Sequence, residues 1–138
     1  MLSSPNEEPI AQRESNNKLT ALYSRSATGY KQAIDKQMTK LNSYCEENSI
    51  QNFKHYIDNN QSEANLDRPA FKELIDDLKT GKIDKIIVTN IYRISRNFLE
   101  VTQIIHSQIE LNQAKLITLD SGEYRLGDYN PENGFLRF

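Results

Sequence analysis

Seven arginines occur in the 138 residues, and four of them, Arg25, Arg68, Arg93 and Arg96, fall where one structural element gives way to the next. A guanidinium is planar, stays charged at every accessible pH, and donates paired hydrogen bonds to a carboxylate or phosphate. Four of them converging would clamp such an anion. Scattered, they would be surface residues paired with Asp67, Asp84 or Glu100. Composition leaves both readings open, and the three-residue spacing of Arg93 and Arg96 at a helix start favours a site. Two residues beyond Arg25 stands Ala27, with Ser24, Ser26 and Thr28 around it. Side chains alternate along a strand, so Arg25 and Ala27 share one face and the three hydroxyls take the other. Only a bulge, or a strand ending before Ser26, would change that.

Other reactive residues offer less. His55 and His106 sit on separate elements and are not expected to form a metal or acid–base pair. Cys45 is the single cysteine, which excludes an internal disulfide and any multi-cysteine metal site. It falls in a buried stripe and is expected in the core. Glu46-Glu47 and Asp76-Asp77 read as solvated helix faces, and Lys79, Lys82 and Lys85 as an exposed rim.

The elements that must position the arginines follow from the apolar pattern. The stretch Leu19–Thr28 opens as a buried strand, Leu19–Tyr23, and ends in polar residues around Arg25. Ligands of α/β proteins bind outside such carboxyl ends. A helix from Gln32 to Glu47 carries Ile34, Met38, Leu41 and Cys45 as one stripe. A strand over Asn52–Ile57 alternates Phe53, His55 and Ile57 with polar or half-polar neighbours. The loop Asp58–Asp67 is polar and long for a connection of this kind. Asp67 reads as an N-cap, Pro69 as first-turn, Phe71, Leu74, Ile75 and Leu78 as an inner face, and Gly81 as the stop.

Asp84–Thr89 is the strongest strand, with the branched run of a sheet buried on both sides. Asn90–Asn97 leads to a helix over Phe98–Leu111, whose inner face is Val101, Ile104, Ile105 and Ile109. Lys115–Leu119 is the last strand. This alternation predicts an α/β fold: three layers, a mainly parallel sheet and helices on both faces. Residues 1–17 read as a disordered polar tail, and residues 18–138 as one domain. The turn-rich end, closing Asn-Gly-Phe-Leu-Arg-Phe, suggests a chain meant to continue.

The composition is 37% hydrophobic and 26% charged, with formal net charge −2. That balance argues against a dedicated nucleic-acid coat but leaves room for a local cationic site. No apolar run is long enough to span a membrane, and no signal peptide is apparent, so a cytoplasmic location is the default.

Tyr23-Ser24-Arg25-Ser26-Ala27-Thr28 resembles the Tyr-x-Arg-x-Ser-Thr opening of the serine recombinases, the resolvase and invertase family. The likeness continues in order. Ala33-Ile34-Asp35-Lys36-Gln37 is similar to the family's first helix with its glutamine, at Gln37. Asp58 and the loop containing Ser62 lead into Asn65-Leu66-Asp67-Arg68-Pro69-Ala70, similar to the Asn-Leu-Asp-Arg-Pro segment of the large recombinases. Gly81 to Val88 and then Arg93-Ile94-Ser95-Arg96 resemble the third-strand region and the Asp-Arg-Leu-Ser-Arg signature. Asn130-Pro131-Glu132-Asn133-Gly134-Phe135 resembles the Thr-Pro-x-Gly segment before the long dimerisation helix. The likeness covers roughly residues 19 to 138.

The resemblance implies DNA cleavage and rejoining without metal or other cofactor: a serine attacks a backbone phosphate, a phosphoserine link to DNA forms, and a 3′ hydroxyl leaves. Arg25, Arg68, Arg93 and Arg96 would hold the scissile phosphate and stabilise its charge. Gln37, Asp84 and Asp67 would support them. The partners implied are DNA and other recombinase subunits, in a mobile-element setting of resolution, inversion or integration. Ala27 occupies the nucleophile position, so the serine was either deliberately replaced or lost in a natural relative. Tyr92 replaces the family's usual aspartate, and the chain stops where the dimerisation helix would begin. Two rivals stand beside the recombinase reading: a non-catalytic relative that binds DNA or another subunit, and a flavodoxin-like small-ligand or signalling domain.

Overall fold

The structure is a computed structural model and describes residues 18–59, 68–124, 129–130 and 134–135. The polar residues 1–17, and with them most of the loop after Asp58 and the expected cap Asp67, lie outside the described residues. Strand β1 (Leu19–Ser26) sits inside a five-stranded sheet with β2 (Phe53–Asn59), β3 (Ile83–Val88), β4 (Lys115–Thr118) and β5 (Gly122–Tyr124), in the order β2-β1-β3-β4-β5. The first four strands are parallel and β5 is antiparallel to β4. A separate antiparallel pair is formed by β6 (Tyr129–Asn130) and β7 (Gly134–Phe135).

Two apolar clusters define the layers. Helix α1 (Lys31–Glu47) packs Leu41 and Cys45 against Leu22 and Ile87. On the other face, α2 (Pro69–Lys79) and α3 (Phe98–Ile104, continuing as a wider π-helical turn over Ile105–Glu110) cover Ala21, Tyr23, Tyr56, Ile86 and Val88. Neighbouring residues 21–23 and 86–88 thus divide between the two faces. That two-sided burial is why β1 and β3 read as unbroken apolar runs.

Three sequence expectations are corrected by the packing. Residue 38 of the α1 stripe is half-buried, and Gln37 takes the inner position at 4% exposure. Strand β2 alternates as expected, but its buried set is Tyr56 and Asp58, while Phe53 and Ile57 are each 38% exposed. This strand lies at the sheet edge, where α2 covers one face and the α1 cluster centres on β1 and β3. Arg68, not Asp67, is the residue preceding the first turn of α2, and its side chain makes no cap.

The cap of α2 comes from another element. The Asp58 carboxylate, at the end of β2, accepts the N–H of Ala70 at 2.9 Å and of Phe71 at 3.0 Å. It also accepts the Tyr23 hydroxyl at 2.8 Å. One buried carboxylate therefore joins β1, β2 and the start of α2, and satisfies two of the helix's unpaired N–H groups. At the other end Gly81, at φ +82°, closes α2 in a conformation that suits glycine.

Replacing Asp58 by alanine removes the acceptor of three buried donors and is expected to destabilise the protein by about 2 to 3 kcal/mol. Urea denaturation reads this directly, and a loss below about 0.5 kcal/mol would show that the cap is dispensable. A second expectation concerns alkaline pH. Burial is the largest cause pushing the Tyr23 phenol well above its usual value; the Arg68 charge opposes it and the bond to Asp58 adds to it. Burial also raises Tyr56, helped by its bond to Asp77 at 2.7 Å. The folded protein keeps protons that the unfolded chain releases from about pH 10 upward. The stability from these phenols is therefore intact below about pH 10 and falls as pH rises beyond it. The urea midpoint should hold between roughly pH 8 and 9 and decline from about pH 10, with a shallower decline in Tyr23→Phe.

Candidate active site

Strand β1 extends three residues past its apolar run because polar partners are built around it. It pairs with β3 only from Leu19 to Leu22. Beyond that point Gln37 of α1 supplies the backbone's bonds: its Nε2 donates to the Arg25 carbonyl at 2.9 Å, and its Oε1 accepts the Arg25 N–H at 3.1 Å. An amide side chain thus stands in for a neighbouring strand, which accounts for its burial in an otherwise apolar stripe.

The Arg25 side chain reaches across the carboxyl end of β3. Its Nε donates to the Arg93 carbonyl at 3.0 Å and its Nη2 to the Tyr92 carbonyl at 2.8 Å. Arg93 returns the contact, with Nη1 donating to the Arg25 carbonyl at 3.0 Å. Arg68 Nη1 donates to the same Arg93 carbonyl at 3.2 Å. Three guanidinium groups therefore interlock through backbone oxygens. Arg25 is 4% exposed and Arg68 2%. Arg68 also lies over the rings of Phe71, at 4.6 Å, and Tyr23, at 5.9 Å, which favours a cation electrostatically.

Arg96 is exposed and stacks over the Tyr92 ring at 4.7 Å. Burial, and then the charge of Arg96, push the Arg93 guanidinium below its usual pKa. The four sequence-predicted arginines thus meet in one region. Neither Arg68 nor Arg93 forms an ion pair among the described residues, and the Nε of each has no hydrogen-bond partner.

Asp84 is not brought to this cluster. It is the second residue of β3, at the amino end of the sheet, whereas Arg25 is at the carboxyl end. Strand rise alone separates the two levels by roughly 17 to 20 Å. It lines a shallow polar hollow with Lys18, Asn48 and Asn52 instead. Asp58 takes the supporting place that sequence reasoning did not assign. Its one visible signal was an acidic residue following the pattern of a strand.

Ala27 follows the last residue of β1 and is exposed. No neighbouring hydroxyl is free to stand in for it. Ser24 is fully buried. Ser26 is 3% exposed, and its Oγ pairs with Thr28 Oγ1 at 2.9 Å while accepting the Thr28 N–H at 3.2 Å. Because the strand runs through Ser26, the alternation of faces holds there. The arrangement can bind and polarise an anion; it presents no nucleophile at residue 27. Of the other reactive residues, His55 Nε2 contacts Asn42 Oδ1 at 2.8 Å, and Cys45 lies in the core.

Comparison with known proteins agrees with this geometry. The family model described as the resolvase N-terminal domain matches residues 20–137. No curated protein matches the chain. Among solved structures, the N-terminal catalytic domain of TP901-1 integrase superposes with a TM-score of 0.66 at 29% identity, covering 76% of this chain and 79% of that one. A resolvase family site-specific recombinase from Streptococcus pneumoniae gives 0.63 at 20% identity, covering 76% and 74%. The C-terminal catalytic domain of ISC1926 TnpA, an IS607-like serine recombinase, gives 0.61 at 17% identity, covering 73% and 67%. At their lower identities the last two speak for the fold alone. With a domain match spanning most of its length, the chain belongs to the resolvase family and carries that family's N-terminal domain.

Proposed function

We propose that residues 18–138 are the catalytic domain of a site-specific DNA recombinase, with Arg25, Arg68, Arg93 and Arg96 holding the scissile phosphodiester. The observation that carries this reading is the interlocked set of guanidinium groups at the carboxyl end of β1, one residue short of Ala27 on the chain's far side of Ser26. Positive charge fixed by carbonyls rather than by carboxylates is prepared for an anionic ligand. Gln37 positions Arg25 through its backbone, and Asp58 positions Arg68 through the first turn of α2. DNA and further recombinase subunits are the partners this function requires, in the cytoplasm. Among the described residues no helix is long and apolar enough to cross a membrane.

The strand-transfer step needs a hydroxyl at residue 27. A serine oxygen there would form the bond to phosphorus as the bond to the 3′ oxygen breaks, and that oxygen would leave as a hydroxyl carrying a proton. Alanine cannot form the bond. The chain as it stands therefore binds the phosphate without cutting, which gives the non-catalytic relative its specific support. The flavodoxin-like alternative shares the strand order but supplies no reason for four arginines at these places.

Ala27→Ser is the decisive variant. Incubated with supercoiled DNA carrying the target site, it is expected to yield a covalent protein–DNA adduct, visible as a shifted band after denaturing electrophoresis. Adding Arg68→Ala to it should lower the adduct rate about 10²–10³-fold, the scale of losing one transition-state donor. Unchanged DNA binding with no adduct would support the non-catalytic role. For the chain with Ala27, a cluster that neutralises only a few phosphates predicts weak DNA binding, falling with salt at a log–log slope of about −3 to −4.

A further inference from the structure

Beside the arginine cluster, on the α1 side of the sheet, lies a cleft of about 990 Å³ at the carboxyl ends of β1, β3 and β4. Its wall includes Lys36 and Lys40 of α1, Tyr30 just before that helix, and Thr89, Arg93 and Asp120 beyond β3 and β4. Arg93 belongs to both places: its Nη1 meets the Arg25 carbonyl, and it also lines the cleft. The two lysines are four residues apart, so they project one helical turn from each other along the same side.

The charges of this cleft are unbalanced. Lys31, on the same helix, pairs with Asp35 at 3.1 Å. Lys36 and Lys40 form no ion pair among the described residues. Three cations therefore face one lining carboxylate, Asp120. Thr89 is nine-tenths buried in the same wall, and its hydroxyl has no hydrogen-bond partner. At the rim Tyr30 is 70% exposed, a large aromatic face left in water. Unpaired cations along a groove, with an aromatic ring for stacking, are the recurring means of holding unpaired nucleotides.

We infer that this cleft binds a short single-stranded DNA segment continuing from the phosphodiester held by the arginines. Lys36 and Lys40 contact its successive phosphates, and a base stacks on Tyr30. The inference rests on the recombinase reading, since Arg93 is the link between the two sites. It adds a requirement that the reading alone lacks: preference for an unpaired strand, through residues outside the cluster.

The test is fluorescence anisotropy of the whole chain with a labelled short oligo-dT and with a duplex of the same length, across a salt series. Oligo-dT should bind more tightly than the duplex, by about tenfold. Lys36→Ala with Lys40→Ala should reduce the single-strand salt slope by about 1.4, two phosphates' worth. Tyr30→Ala should weaken oligo-dT binding at least about fivefold, the lower end for loss of one stacked base. All three side chains are exposed, and unchanged thermal melting of each variant confirms that the fold is kept. A preference for duplex, or a salt slope unmoved by the double lysine change, overturns the inference. The Ala27→Ser adduct assay separates the two levels: adducts with indifferent lysines discard the cleft and keep the recombinase reading. If an arginine change leaves DNA binding untouched, both fall.

Discussion

Two nearly inaccessible guanidinium groups, Arg25 and Arg68, are the constraint around which this domain is arranged. Removing a charge from water costs several kcal/mol unless new partners replace the lost hydration. Here the replacements on view are backbone carbonyls at residues 92 and 93, and for Arg68 also two aromatic faces. Carbonyl dipoles orient a guanidinium without cancelling its charge. The residual positive potential is therefore held in place by the fold before any ligand arrives. Arg93, depressed by burial and by Arg96, lies in the same field. An anion entering this region relieves repulsion as well as making bonds.

Such an arrangement requires the backbone to stay put, and two polar side chains see to that. Past Leu22, β1 has lost the pairing with β3, and an isolated strand end would fray. Gln37 supplies both missing bonds to Arg25. Asp58 does the equivalent for Arg68 by capping the helix that starts immediately after it. Each acts at a distance from the charge it positions. Removing either would disturb the cluster through geometry, without removing a cation.

Much of the scaffold was legible in the chain, and the failures have a common cause. Ile86-Ile87-Val88 announces a strand buried on both faces because nothing else tolerates that run. Leu74 and Leu78 announce the inner face of α2 by spacing alone, and Gly81 its end. Gln37 and Asp58 could not be assigned their bonds in this way: their partners lie on other elements, and spacing along a chain carries no information about them. At β2 the period of two was visible but not its phase, since Phe53 and Ile57 are as apolar as the residues that prefer the interior. The edge position decides that phase, and only the strand order reveals the edge. Asp84 was drawn toward the arginines by proximity to the third strand. A parallel strand carries its two ends to opposite rims of the sheet, and Asp84 begins β3 where Arg93 follows it.

Ala27 separates two properties that this fold usually presents together, binding and bond-making. None of the hydrogen bonds that assemble the cluster involves residue 27, and its side chain is exposed rather than packed. The identity of that residue therefore has little bearing on whether the guanidinium groups gather. An alanine there leaves the cationic site standing and removes only the oxygen that would bond to phosphorus. Tyr92 points the same way: its carbonyl serves Arg25 whatever side chain it carries, while its ring holds Arg96. The site's architecture resides in the backbone and in Gln37 and Asp58, so it survives a change in the one atom on which the chemistry depends.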